Sequence, residues 1–152
     1  MPRIICALAM LSTPLLLAAG DDGAKELKAL EGKWKAIALE VAGNPLPKEG
    51  VPEFTFTVAA DGKATGKSPQ GEFQSTVTVD PKTTPRTIVN VHETGAHKGK
   101  KQYGVYKLEG DKWTVCMTPP GVAEGDRPKD FTTKDTANVV FVFERVKADK
   151  KP

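Results

Sequence analysis

Cysteine is nearly missing from this chain, whose 152 residues include only Cys6 and Cys116. Cys6 falls in an N-terminal segment that reads as removable, so one thiol remains and no internal disulfide can form. Hydrophobic burial must then hold the fold together, unless Cys116 pairs between chains. Histidine is equally scarce. His92 and His97, with Glu93 nearby, lack a third ligand at a recognisable spacing, so no metal site is expected and both read as solvent-exposed. Neither sign of charge prevails, with 22 Lys and Arg against 19 Asp and Glu. Such a balance gives no reason to expect a nucleic-acid or membrane-surface partner. Long hydrophobic runs are also lacking, because none reaches the ~20 residues that a spanning helix needs.

What is present begins with residues 1–20, which differ from the rest. Arg3 gives a positive start, Ile4 to Leu17 is almost wholly apolar though broken by Pro14, and Ala18-Ala19-Gly20 supplies small residues before Asp21. This is a signal-peptide pattern, so the expectation is an exported protein, periplasmic or extracellular, with no membrane insertion after cleavage. Cys6 has no apolar run before it and does not look like a lipid-attachment site. Cleavage removes Arg3, leaving 21 basic residues against 19 acidic ones. Residues 21–146 are long enough for one domain with a real core, and a Lys-rich tail, 147–152, follows.

The 14 Gly and 12 Pro, scattered between short apolar runs, imply many turns and favour β structure over a helix bundle. Leu27 and Leu30, three apart among Lys and Glu, predict a short helix that stops at Gly32. After Trp34 the period changes. Strands are expected at 34–41, 53–58, 63–67, 72–79, 87–92, 102–108, 112–117 and 138–146, separated by turn clusters. Asp61-Gly62 and Glu109-Gly110-Asp111 read as hairpin turns, and Ala42 to Pro45 as the end of the first strand. In the hairpin around Gly110, alternation gathers Tyr106, Leu108, Trp113, Val115 and Met117 on one face. The last strand is apolar on both faces, as befits one with neighbours on either side.

About eight short strands with mostly hairpin-length connections predict an all-β up-and-down antiparallel barrel, which leaves no open edge. A two-sheet sandwich is the rival, but it needs longer crossovers than most of these gaps supply. Residues 118–137 are polar, carry Pro119, Pro120 and Pro128, and read as a long loop of the kind that carries function or moves.

Several strings share an order and spacing that is more specific than any one of them. They are Leu30-Glu31-Gly32-Lys33-Trp34, Leu39 to Pro47, Gly104-Val105-Tyr106 with Leu108, Gly110 and Asp111, Cys116 to Gly121, Arg127-Pro128 with Phe131, and Phe143-Glu144-Arg145. Together they resemble an uncharacterised family of exported domains found in planctomycete bacteria. The resemblance implies a lipocalin-like barrel and no particular activity. It also implies a structural closure in which Gly32 and Trp34 open the first strand and Arg145, near the end of the last, covers the indole. A guanidinium over an indole in a desolvated place contributes ~2 kcal/mol. Strict alternation from an inward Trp34 would, however, turn Ile37, Leu39 and Val41 outward. A β-bulge near Lys35 or Ala36 is expected to correct this; without one, Glu40 becomes an interior carboxylate.

Other constellations reduce to plainer readings. Gly62 to Ser68 imitates a phosphate loop but has three residues, not four, before its Gly-Lys pair, and Pro69 precludes the helix that should come next. Cys116 has no basic neighbour in sequence and reads as an inert thiol on the face opposite Val115 and Met117. Lys98, Lys100 and Lys101 read as a solvated loop. Phe54, Phe56, Phe73, Tyr106, Trp113 and Met117 either fill a small barrel or line a pocket in it. The leading functional expectation is a monomeric, non-enzymatic binder of a small hydrophobic or amphipathic ligand, with Phe54, Phe56, Tyr106, Trp113 and Met117 as its walls and no cofactor. The alternative is a protein-interaction or inhibitor module that presents residues 118–137 to a partner.

Overall fold

Helix α1, Asp21–Leu30, leads directly into strand β1, Gly32–Val41. The computed structural model describes residues 21–147, so the expected signal segment and nearly all of the tail lie outside the described residues. Leu27 and Leu30 face the core from α1, and Leu30 is fully buried, which contributes roughly 2 kcal/mol. Gly32 ends the helix with φ +129°, a conformation that side chains with a Cβ rarely adopt.

The remaining strands are β2 (Asn44–Pro45), β3 (Thr55–Val58), β4 (Lys63–Ser68), β5 (Gly71–Asp80), β6 (Arg86–His92), β7 (Lys101–Glu109), β8 (Lys112–Met117) and β9 (Val139–Arg145). β1 pairs antiparallel with β3, each strand from β3 to β8 pairs antiparallel with the next, and β9 returns to β1. The protein is therefore a closed, up-and-down, lipocalin-like barrel of eight strands. β2 stands outside the ring as a two-residue stub folded back on β1. Ala42 and Gly43 between them both have positive φ, which a two-residue hairpin of matching twist requires, so the expected strand end is a hairpin. β3 begins at Thr55, later than the pattern suggested, and Phe54 precedes it.

A register shift in β1 lies between Ala36 and Ala38, opposite β9, so the extra residue is Ile37. The bulge thus falls just past the expected position and reverses the parity of the rest of the strand. Ala36 faces Phe143 across the ladder, whereas Leu39 faces Phe141 and Val41 faces Val139. Glu40 consequently lies outside, where Thr133 Oγ1 donates to its Oε1 at 2.6 Å.

The main core lies inside the barrel and includes Trp34, Phe56, Val58, Ile88, Tyr106 and Trp113. A second, smaller core forms on the outer wall. There Val105, Cys116 and Val140 are buried under Phe131, so β9 is covered on both faces. The loop after β8 is strapped onto this wall instead of standing free. Arg127 Nη1 donates to the carbonyls of Ile88 (3.0 Å) and Gly104 (2.9 Å), and its guanidinium lies 5.3 Å from the Tyr103 ring centroid. Thr133, fully buried, also accepts from the Gly43 N–H at 2.8 Å.

Candidate ligand cavity

α1 seals one end of the barrel. Trp34 Nε1 donates to the Leu30 carbonyl at 2.8 Å, and Arg145 lies over the indole with its guanidinium carbon 4.3 Å from the ring centroid. Arg145 further donates to the carbonyls of Ala29 and Glu31 and to Asp111 Oδ1, which ties helix, first strand and last strand together. Glu26, on α1, accepts from Arg86 Nη1 at 2.7 Å and from the Tyr106 hydroxyl at 3.0 Å.

Beyond this plug, strand direction decides which residues lie deep. β3, β5 and β9 run towards α1, and β6 and β8 run away from it. Phe54, Phe73, Phe141, Asn90 and Met117 therefore lie towards the far end, and Trp113 lies deep, edge-on to Trp34 with 5.5 Å between ring centroids. Between these levels is a cavity of about 120 Å³. A cavity of ~150 Å³ lined by apolar groups holds one benzene ring, whereas drug-sized ligands occupy ~300–1,000 Å³. The space thus suits one ring or a short chain.

Phe56, Trp113, Val115 and Phe143 form the deep wall. Nearer the mouth, Phe54 stacks on Phe73 at 5.2 Å and on Phe141 at 5.7 Å, giving a half-buried aromatic rim. Three polar side chains, Ser75, Asn90 and Gln102, interrupt the lining, and among the described residues no ionisable side chain contributes to it. A hydrogen-bond chain fixes the amide orientations. Gln102 Nε2 donates to the Thr118 carbonyl at 3.0 Å, so Gln102 Oε1 must accept from His92 Nε2 at 2.7 Å and from Asn90 Nδ2 at 3.3 Å. Asn90 Oδ1 is then left without a partner among the described residues, as is Trp113 Nε1; both atoms are buried.

Of the expected wall residues, Phe54, Phe56, Trp113 and Met117 line the cavity. Tyr106 does not. It points to the sealed end, where Glu26 holds its hydroxyl, and burial first and the Glu26 carboxylate second push its pKa well above the usual tyrosine range. Gly32, Trp34 and Arg145 gather at that same end, away from the mouth. His92 also departs from expectation, since it is half-buried in the Gln102 network while His97 is exposed. Asn90 and Gln102 went unnoticed in the sequence although parity could have found them: Gln102 shares alternation with Tyr106 and Leu108, and Asn90 with Ile88.

Elsewhere, Gly62 to Ser68 holds no phosphate loop, because β4 occupies most of it. Cys116 is fully buried on the outer wall, and desolvation, aided by Asp130 and Glu40, pushes its thiol up to about 11. Among the described residues, no three His, Cys, Asp or Glu side chains are grouped so as to hold a metal, and no helix is long and apolar enough to cross a membrane. No protein-family model matches the chain, and a search of curated proteins finds no match to it.

Proposed function

We propose that this protein is an exported, monomeric, non-catalytic binding protein of lipocalin-like build that takes a small apolar or amphipathic ligand through the end opposite α1. The observation that carries this reading is the cavity of about 120 Å³ inside the barrel, walled by aromatic side chains and floored by Trp113. A filled interior would have offered no such space. The lack of ionisable lining groups supports binding over catalysis, because acid–base or nucleophilic chemistry needs such groups within reach of the ligand. The N-terminal sequence pattern supports export, and kinship with the exported planctomycete domains rests on the strings from Gly32-Lys33-Trp34 to Phe143-Glu144-Arg145.

The alternative, an interaction or inhibitor module displaying residues 118–137, has less support. Arg127 and Thr133, the loop's anchors, are spent on the barrel wall. Native mass spectrometry of protein purified from its own host tests the leading reading. The expected spectrum contains a complex heavier than the free chain by one small organic molecule. A spectrum of free chain alone, with no uptake of added benzene or toluene, overturns it.

A further inference from the structure

Of the side chains that line the cavity, two are small. Ala64 supplies a single carbon and Ser75 two heavy atoms, whereas every other lining side chain supplies three or more. The two are direct partners in the β4–β5 ladder, so their Cβ atoms stand ~4.5–5.5 Å apart on one face. That face is the inner one. Ala64 packs with Phe56, Val58 and Val77 in the main core, Ser75 alternates with Phe73 and Val77, and the pair are 3% and 4% exposed. The next inner position on β4 adds nothing, because it is Gly66, where a Cβ would come 2.6 Å from Phe56 Cα. The run Lys63 to Ser68, which imitates a phosphate loop in sequence, is therefore the thin part of the barrel wall. Protein interiors are otherwise close-packed, so a space persists where atoms are missing. Here they are missing on two adjoining strands.

We infer that Ala64 and Ser75 determine what the cavity accepts: the room they leave beside β4 and β5 seats the ligand's ring and admits one unfused ring with at most a small substituent. This rests on the ligand-binding reading above and adds the ligand's size class and its seat. A space of about 120 Å³ is close to the ~150 Å³ that holds one benzene, so a second, fused ring would have to displace the aromatic walls. Those walls hold one another in place. Phe56 lies edge-on to Phe143 with ring centroids 4.9 Å apart and edge-on to Trp113 at 5.8 Å. The small pair sets the limit instead, since methyl groups added there enter open space at little strain and take the ligand's place.

The test is calorimetric titration of the full mature chain with toluene and naphthalene. The wild type is expected to bind toluene roughly tenfold or more tighter than naphthalene. Ala64→Val and Ser75→Val each extend a side chain into the seat; each is expected to weaken toluene binding roughly tenfold or more while the urea midpoint holds. Ala36→Val is the contrast. It enlarges a buried inner alanine on β1 that is not part of the cavity lining, so it lowers the urea midpoint and leaves toluene affinity within about twofold. The two seat variants are independent of each other and the wild-type comparison needs no variant, so one variant that fails to fold does not shelter the inference. Naphthalene bound as tightly as toluene by the wild type overturns this inference and leaves the binding reading standing. So does toluene affinity kept in the folded seat variants, or lost equally in Ala36→Val. Failure of toluene to bind the wild type at millimolar concentration overturns the binding reading and this inference with it.

Discussion

Arg145 and Trp34 are direct partners in the ladder between the last and first barrel strands, and the guanidinium lies 4.3 Å from the indole ring centroid. One contact therefore stands at the end of the seam that closes the sheet into a ring and joins it to α1. Arg145→Ala removes the stack and the bonds to Ala29 and Glu31. We expect a loss of about 3 kcal/mol, read as a lower urea midpoint with unchanged slope. Arg145→Lys recovers little of it, because an ammonium cannot reach the same carbonyls while lying flat on the indole.

Gly32 is coupled to that contact. A Cβ there would come 2.9 Å from Arg145 Nη1, at a φ of +129°. Gly32→Ala should cost about 2 kcal/mol in the wild-type background. In the Arg145→Ala background the steric part vanishes, so a double-mutant cycle should show a clear interaction energy between the two sites.

Burial of Cys116 makes stability fall in alkali. Its folded pKa, about 11, exceeds the ordinary 9.0, so between these pH values the unfolded chain loses a proton that the folded chain keeps. The contribution is intact below pH 9 and is lost as pH rises through that window, with a slope of about 1.4 kcal/mol per pH unit. Urea midpoints measured from pH 8 to pH 11 should fall more steeply for wild type than for Cys116→Ala. The native thiol should also resist alkylation at pH 8 and react once unfolded.

The cavity can be filled from its own wall. Ala64 is buried in its lining, and Ala64→Leu puts three further carbons into the space. Toluene binding should drop by at least tenfold while the melting temperature stays within a few degrees, since a cavity receives the added atoms. Retained binding would place the ligand elsewhere.

The loop after β8 should be a strapped segment with a weak fastening. Arg127 supplies two hydrogen bonds to strand carbonyls and the stack on Tyr103. In Arg127→Ala, limited proteolysis should cut near residues 121–126 several times faster than in wild type, with the barrel's circular dichroism preserved.

Alternation and turns were legible because they are local. Phe56 with Val58, and Tyr106 with Leu108, announce their common face through a period of two, and Asp61-Gly62 announces its turn through backbone preference. The bulge was legible as a conflict, Trp34 inward against Leu39 and Val41 outward, but its place at Ile37 was not. That depends on how β1 sits against β9, more than a hundred residues away in the chain. Tyr106 shows the limit most clearly. It shares a face with the cavity's Val115, yet Glu26 on α1 draws it into the seal, and no strand pattern encodes where a separate helix docks.

The chain by itself determined that there would be a barrel, that hydrophobic burial and not disulfides would hold it, and that Gly32-Lys33-Trp34 would begin its first strand. Those features arise from composition and from interactions between near neighbours. Only the tertiary structure decided that the interior keeps about 120 Å³ open, and that Asn90 Oδ1 and Trp113 Nε1 are buried with no partner among the described residues. Volume and orphaned polarity are sums over all eight barrel strands at once. A residue's own neighbours in sequence carry no record of what faces it across the barrel.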